Sequence, residues 1–171
     1  MSQDRGDISF ASKEVARGMA SPTRQDAMKL KKLIRYLMGA KRRATQYHWQ
    51  NPPGVIRGYT DSDWAGCTRT RRSKNSGGVL LYGQHLVHHW SSTQSVVALS
   101  SMEAELNALV KGTAETMCLK HMLSECGAEP RAYVCTDSSA AHGALHVKDV
   151  GKSSTWLVVS CGCKTSWRRT S

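Results

Sequence analysis

The sequence predicts an α/β fold in which a mixed β-sheet is flanked by helices and preceded by a helical extension. Three observations carry that prediction. Apolar residues recur at three- and four-residue steps before residue 40, then fall into short strand-like runs between Val55 and Trp90, and then return to a long helical period from about Ser100 that gives way to one more short run ending at Asp137. Strands followed by a helix and then another strand call for a mixed sheet with helices packed on it.

The elements follow in order. A short helical pattern spans about Ser12 to Met19. Ser21-Pro22-Thr23 with Asp26 reads as a helix start with a variant capping box, and Met28, Leu30, Leu33, Ile34, Leu37 and Met38 continue it to a stop at Gly39. Val55 to Thr60 reads as a strand leading into an Asp-rich turn. Gly77 to Tyr82 and His85 to Trp90 are two apolar runs joined at Gly83-Gln84, which is a hairpin signal. Ser100 with Glu103 makes a second capping box, and Met102, Leu106, Leu109, Val110, Thr113 and Met117 repeat at helical spacing to about Gly127. Ala132 to Thr136 reads as a short buried strand and Ser138 to Val147 as a helix with a small-residue face.

Composition bounds the function. The 171 residues are 40% hydrophobic and 22% charged, which fits a folded domain and not a disordered chain. The net charge of +11 gives a field that attracts polyanions, nucleic acid first. Residues 1 to 58 carry +8 of that surplus, including Lys29, Lys31, Lys32, Arg35 and Lys41-Arg42-Arg43. Six cysteines show no CxxC pair, and no secretory leader or apolar run of transmembrane length is present, so the sequence reads as intracellular with reduced thiols and no membrane partner. Cys161, Cys163, His142 and His146 do not have the spacing of a recognised zinc site.

Three acids fall where elements begin or end: Asp61 on the first strand, Glu105 in the first turns of the long helix and Asp137 at the tip of the fourth strand. Carboxylates gathered from separate elements repel one another unless protons or cations compensate, and a cluster of hard oxygens suits Mg²⁺. Asp63 is read as structural in the turn with Trp64. Glu103 is reserved for the cap, leaving Glu105 for the chemistry.

The stretches GYTDSDWAG, RRSKNSGGVLLYGQHLVHHWSSTQSVVALSSMEAELNAL and YVCTDSSAAHGAL, in this order, resemble the ribonuclease H domain of copia-type LTR retrotransposon Pol polyproteins. DISFASKEVARGMASPT and KKLIRYLMGAKR resemble the segment that links reverse transcriptase to that domain, so the resemblance runs from about Gly6 to Asp149. It implies a ribonuclease H-like fold, with residues 1–50 a basic helical connection, 51–150 the domain and 151–171 a divergent tail. It further implies Mg²⁺-dependent cleavage of the RNA strand of RNA–DNA hybrids, with Asp61, Glu105 and Asp137 as catalytic metal ligands for two Mg²⁺ ions and Mn²⁺ as a substitute. The hybrid would be one partner and the reverse transcriptase portion of the same polyprotein another. Lys74, Asn75, Ser76 and Gln94 are candidate contacts to the nucleic-acid backbone.

The tail departs from the family wording. No Asp or Glu follows Asp149, where the family places a further strand and an acidic or His ligand, so the last strand and helix have no assigned text. The tail is expected to be either divergent or the product of a translation shifted into a neighbouring reading frame after Gly151. The alternative to an active nuclease is therefore a hybrid-binding remnant with an incomplete site.

Overall fold

The computed structural model describes residues 5–64 and 76–138 together with the backbone of 156–160. Its elements are α1 (Gly6–Arg17), α2 (Arg24–Gly39), β1 (Val55–Ser62), β2 (Ser76–Tyr82), β3 (His85–Ser92), α3 (Ser101–Glu125), β4 (Arg131–Thr136) and β5 (Trp156–Ser160). The strands form one sheet in the order β3-β2-β1-β4-β5, antiparallel from β3 to β1 and parallel from β1 to β5. This is the mixed, helix-flanked, ribonuclease H-like α/β architecture expected from the sequence. A fifth strand at Trp156–Ser160 lies within the divergent tail, pairing Ala132 with Trp156 through Thr136 with Ser160. The expected helix from Ser138 to Val147 lies outside the described residues beyond Ser138, as do His142, His146, Cys161 and Cys163.

The local signals behave as their chemistry requires. Thr23 caps α2 by accepting from the Asp26 N–H while the Asp26 carboxylate accepts from the Thr23 N–H, a reciprocal capping box. The β2–β3 turn places Gly83 at φ +62°, in the left-handed region that suits glycine, and the Gln50 amide straps that turn by donating to the Tyr82 carbonyl and accepting from the Gln84 N–H. The first helix starts earlier than its periodicity suggests, at Gly6, because Asp7 anchors its first turn through Arg5 and the Tyr36 hydroxyl. Gly39 is the last helical residue of α2, and Ala40 caps it.

The long helix departs most from its sequence pattern. Of the six residues repeating at helical spacing only Leu109 is buried, while Met102 and Val110 are exposed. The face laid on the sheet is instead Ala104, Ala108, Gly112 and Thr116, a ridge of small residues every fourth position, flanked by Glu105 and Leu109. The ridge lets the helix approach β1 closely. A Cβ at Gly112 would run into the Thr60 side-chain methyl, and one at Gly58 would lie 2.6 Å from the Thr116 hydroxyl oxygen. Thr116 donates that hydroxyl to the Gly112 carbonyl at 2.7 Å, so it lies in the interface with its hydrogen bond made. Ile56, Leu80, Ala132 and Val134 complete the core beneath the helix.

Gly112→Ala is expected to destabilise the protein by about 1–3 kcal/mol, because extra volume in a closed contact forces backbone or rotamer shifts. Thr60→Ser removes the obstructing methyl, so the double variant should recover part of that loss in urea unfolding. Equal losses in the single and double variants would show that this contact does not set the helix height.

Candidate metal centre

The parallel pairing of β1 with β4 sets Thr60 opposite Thr136, so the next residue of each strand, Asp61 and Asp137, emerges at the same end of the sheet. Glu105 comes down onto that end from α3. One carboxylate oxygen from each of the three lies within 4.8 Å of the others, with Asp61 and Asp137 exposed and Glu105 buried at 8% exposure. All three acids proposed from the sequence therefore meet at one sheet edge.

Two clamps hold α3 in this position. Ser100 accepts from the Glu103 N–H at 3.2 Å, and the Glu103 carboxylate accepts from the Leu99 N–H at 2.7 Å, so Glu103 is engaged at the helix cap. The Trp64 indole N–H donates to the Ala98 carbonyl at 3.1 Å and ties the chain leaving β1 to the loop that enters the helix, a structural role in keeping with its reading in the turn. Gln94 is buried and donates to the Ala104 carbonyl at 2.7 Å, which braces the same loop from inside. Ser76 is also buried, at the start of β2. Both thus stand inside the protein, and Lys74 and Asn75 lie outside the described residues.

Burial pushes the Glu105 carboxyl up to about 7, and the nearby charges of Asp61 and Asp137 add to the rise, while a hydrogen bond from the Ser62 N–H opposes it. Glu105 Oε2 is enclosed and has no hydrogen-bond partner among the described residues. An orphaned buried oxygen beside two exposed carboxylates is a donor set that fits a hard divalent cation, since such an ion supplies the missing partner and offsets the crowded negative charge. An open cavity of about 920 Å³ adjoins Asp61, between α1, residues 43–47 and the sheet, with Arg5, Arg43, Phe10 and Tyr47 among its walls.

The Pol polyprotein of transposon TNT 1-94 from Nicotiana tabacum is 32% identical over 138 residues, 80% of this chain, and that of transposon RE1 from Arabidopsis thaliana is 29% identical over 141 residues, 81% of this chain. The chain is similar to one part of retrotransposon Pol polyproteins. It spans about a tenth of the length of each of those two polyproteins. An Arabidopsis thaliana mitochondrial protein of uncharacterised function, AtMg00810, is 37% identical over 111 residues, 65% of this chain and 45% of that protein. No family model matches the chain. Among the described residues no helix is long and apolar enough to cross a membrane.

The raised Glu105 carboxyl gives a stability prediction with a defined sign. Its folded-state value lies above the ordinary value of 4.5, so the unfolded chain ionises first and stability falls as pH rises from about 4.5 through about 7. Glu105→Gln removes this titration. In metal-free buffer its unfolding free energy from urea titration should exceed that of the parent at pH 8 by about 1–3 kcal/mol, and the difference should shrink towards pH 5. A variant less stable than the parent at pH 8 would mean that Glu105 is not held against its charge.

Proposed function

We propose that this chain binds RNA–DNA hybrids and cleaves their RNA strand with Mg²⁺. The observation that carries this reading is the convergence of Asp61, Glu105 and Asp137, from two strands and a helix, within 4.8 Å at one sheet edge. The Pol relatives support a role within a retroelement polyprotein, and the reverse transcriptase portion of that polyprotein is the natural neighbour. Asp61, Glu105 and Asp137 would hold a pair of Mg²⁺ ions, with Mn²⁺ as a substitute. Such a pair, when bound, supplies the Lewis acidity that promotes attack by water on a phosphodiester and departure of the leaving oxygen.

The chain's own groups do the rest. Asp61 and Asp137 face solvent and are open to a substrate phosphate arriving with its cations, whereas Glu105 forms the floor and is positioned by the Ser62 N–H. The N–H of Ser138 donates to the Thr136 hydroxyl at 3.2 Å and braces the turn that carries Asp137. The basic surplus of +11 draws the hybrid to the surface without reading its sequence, in line with recognition of helix shape and 2′-hydroxyls.

A second reading, hybrid binding without turnover, has one specific observation in its favour. Residues 150–171, the stretch where the resemblance places a late carboxylate, contain no Asp or Glu. The nucleotide sequence after Gly151 tests the frame-shifted origin of that tail.

Hybrid cleavage with Mg²⁺ and with EDTA, beside binding measured in EDTA, separates the two readings. Under the first, Asp61→Asn and Asp137→Asn each lower Mg²⁺-dependent cleavage by at least about a hundredfold, since loss of even an outer partner of a metal ligand costs about 10–100-fold. Hybrid affinity should hold within about twofold, because binding rests on phosphate contacts. Cleavage by Asp137→Asn at the parental rate would remove the site assignment. Binding without cleavage by the parent chain would favour the second reading.

A further inference from the structure

On the flank of α3 that faces the edge strand β3, five side chains from two elements form a continuous array. The Lys111 ammonium donates to the Ser92 hydroxyl at 2.9 Å and lies 6.0 Å from the centroid of the Trp90 ring. The His88 ring stacks beside that indole at 5.7 Å with an interplanar angle of 25°, and the Glu115 carboxylate lies 3.9 Å from His88 Nε2. Trp90 is half-buried and lies across Gly78, where any Cβ would collide with its ring. Its indole N–H is enclosed and has no acceptor among the described residues, so packing and not a hydrogen bond holds the ring flat. The platform is therefore built into the sheet.

The strand register links this array to the carboxylates. Ser62 at the end of β1 pairs with Ser76, and Ser76 with Ser92, so Ser92 lies in the same cross-strand row as the residue that follows Asp61. Lys111 is six residues beyond Glu105, about 9 Å further along the helix axis at the usual rise per residue. An ammonium with one of three donors engaged, set over an aromatic face with a second ring beside it, is the combination that holds a nucleic-acid backbone by charge and supports a sugar or base by stacking. Glu115 stands at the far end, where it pairs with His88 and repels phosphate, and so leaves Lys111 as the anion-binding end of the array.

We propose that Lys111 and Ser92 form a phosphate-anchoring site, with Trp90 and His88 as its stacking wall, that holds the RNA–DNA hybrid beside the carboxylate cluster. This rests on the reading of the chain as a hybrid-binding protein and adds the residues that position the duplex along α3. Neither the net charge nor the acidic cluster requires them.

The test uses the full chain in EDTA, so that no cleavage intervenes, with an end-labelled RNA–DNA hybrid followed by fluorescence anisotropy over a range of salt. Lys111→Gln should weaken binding by about tenfold at low salt and reduce the dependence of log affinity on log salt by about one phosphate, whereas Lys111→Arg should keep both. Hybrids carrying one neutral methylphosphonate at a time locate the contact. One position should weaken the parent and leave Lys111→Gln unaffected. Trp90→Phe should retain affinity and Trp90→Leu lose it, with circular dichroism confirming that both fold. If the parent binds hybrid and Lys111→Gln matches it in affinity and salt slope, or if every neutral linkage weakens both proteins alike, the anchoring site is wrong while hybrid binding stands. If the parent binds no hybrid at all, the site and the functional reading fall together.

Discussion

The close approach of α3 to β1 governs the rest of the molecule. Ala104, Ala108, Gly112 and Thr116 present almost no side-chain bulk, so helix and sheet meet with Gly112 against Thr60 and Gly58 against Thr116. At this separation, a side chain one residue along from the ridge reaches the sheet edge. Glu105, next to Ala104, is carried to the end of β1 and buried there at 8% exposure. A helix faced with Leu or Met would ride higher on the sheet and lift this carboxylate away from Asp61 and Asp137. The packing of the core and the geometry of the site are thus one constraint.

That constraint works against the stability of the unliganded protein. Taking a carboxyl out of water beside two others disfavours its charge, which is why Glu105 is held up to about 7. Acids elsewhere in the chain show the opposite. Asp7, bonded by Arg5 and the Tyr36 hydroxyl, is held below the usual carboxylate range, and Asp26, bonded by Thr23 and Lys29, is lowered to about 2. Those acids serve local structure, and each has a partner that favours its ionised form. Groups whose environment opposes their charge concentrate where proteins bind or react.

The N-terminal helices rest on a different kind of contact. Asp7 gathers Arg5, Tyr36 and, at 3.7 Å, Arg43, so one carboxylate joins α1, α2 and the segment that follows them. Ile8 is the buried residue of α1, and α2 buries none, leaving Leu30, Ile34 and Met38 exposed beside its cations. The extension is thus fastened through polar and partly exposed contacts, whereas the sheet and α3 share an enclosed core.

Much of this was legible in the sequence. Caps, hairpin and strand runs are local, set by φ preference and side-chain hydrogen bonds within a few residues, so the Thr23 and Ser100 caps, the turn at Gly83 and β1 to β4 could be read to within a few residues. The acids Asp61, Glu105 and Asp137 are legible because each stands in a stretch that resembles the family. The burial of Ser76 and Gln94 was not legible, since polar residues in a loop look alike in sequence whether they face solvent or brace a helix from within. Nor was the strand at Trp156–Ser160, whose partner β4 lies some twenty residues away and whose pairing is non-local. The sequence by itself determined the kinds of element, their order and three acids at the ends of elements as the candidate site. Tertiary structure alone decided which face of α3 is buried, because the apolar spacing favoured larger side chains while close packing on β1 admits only small ones. It also decided that three distant carboxylates share one edge, a consequence of parallel strand register and helix height that no local pattern encodes.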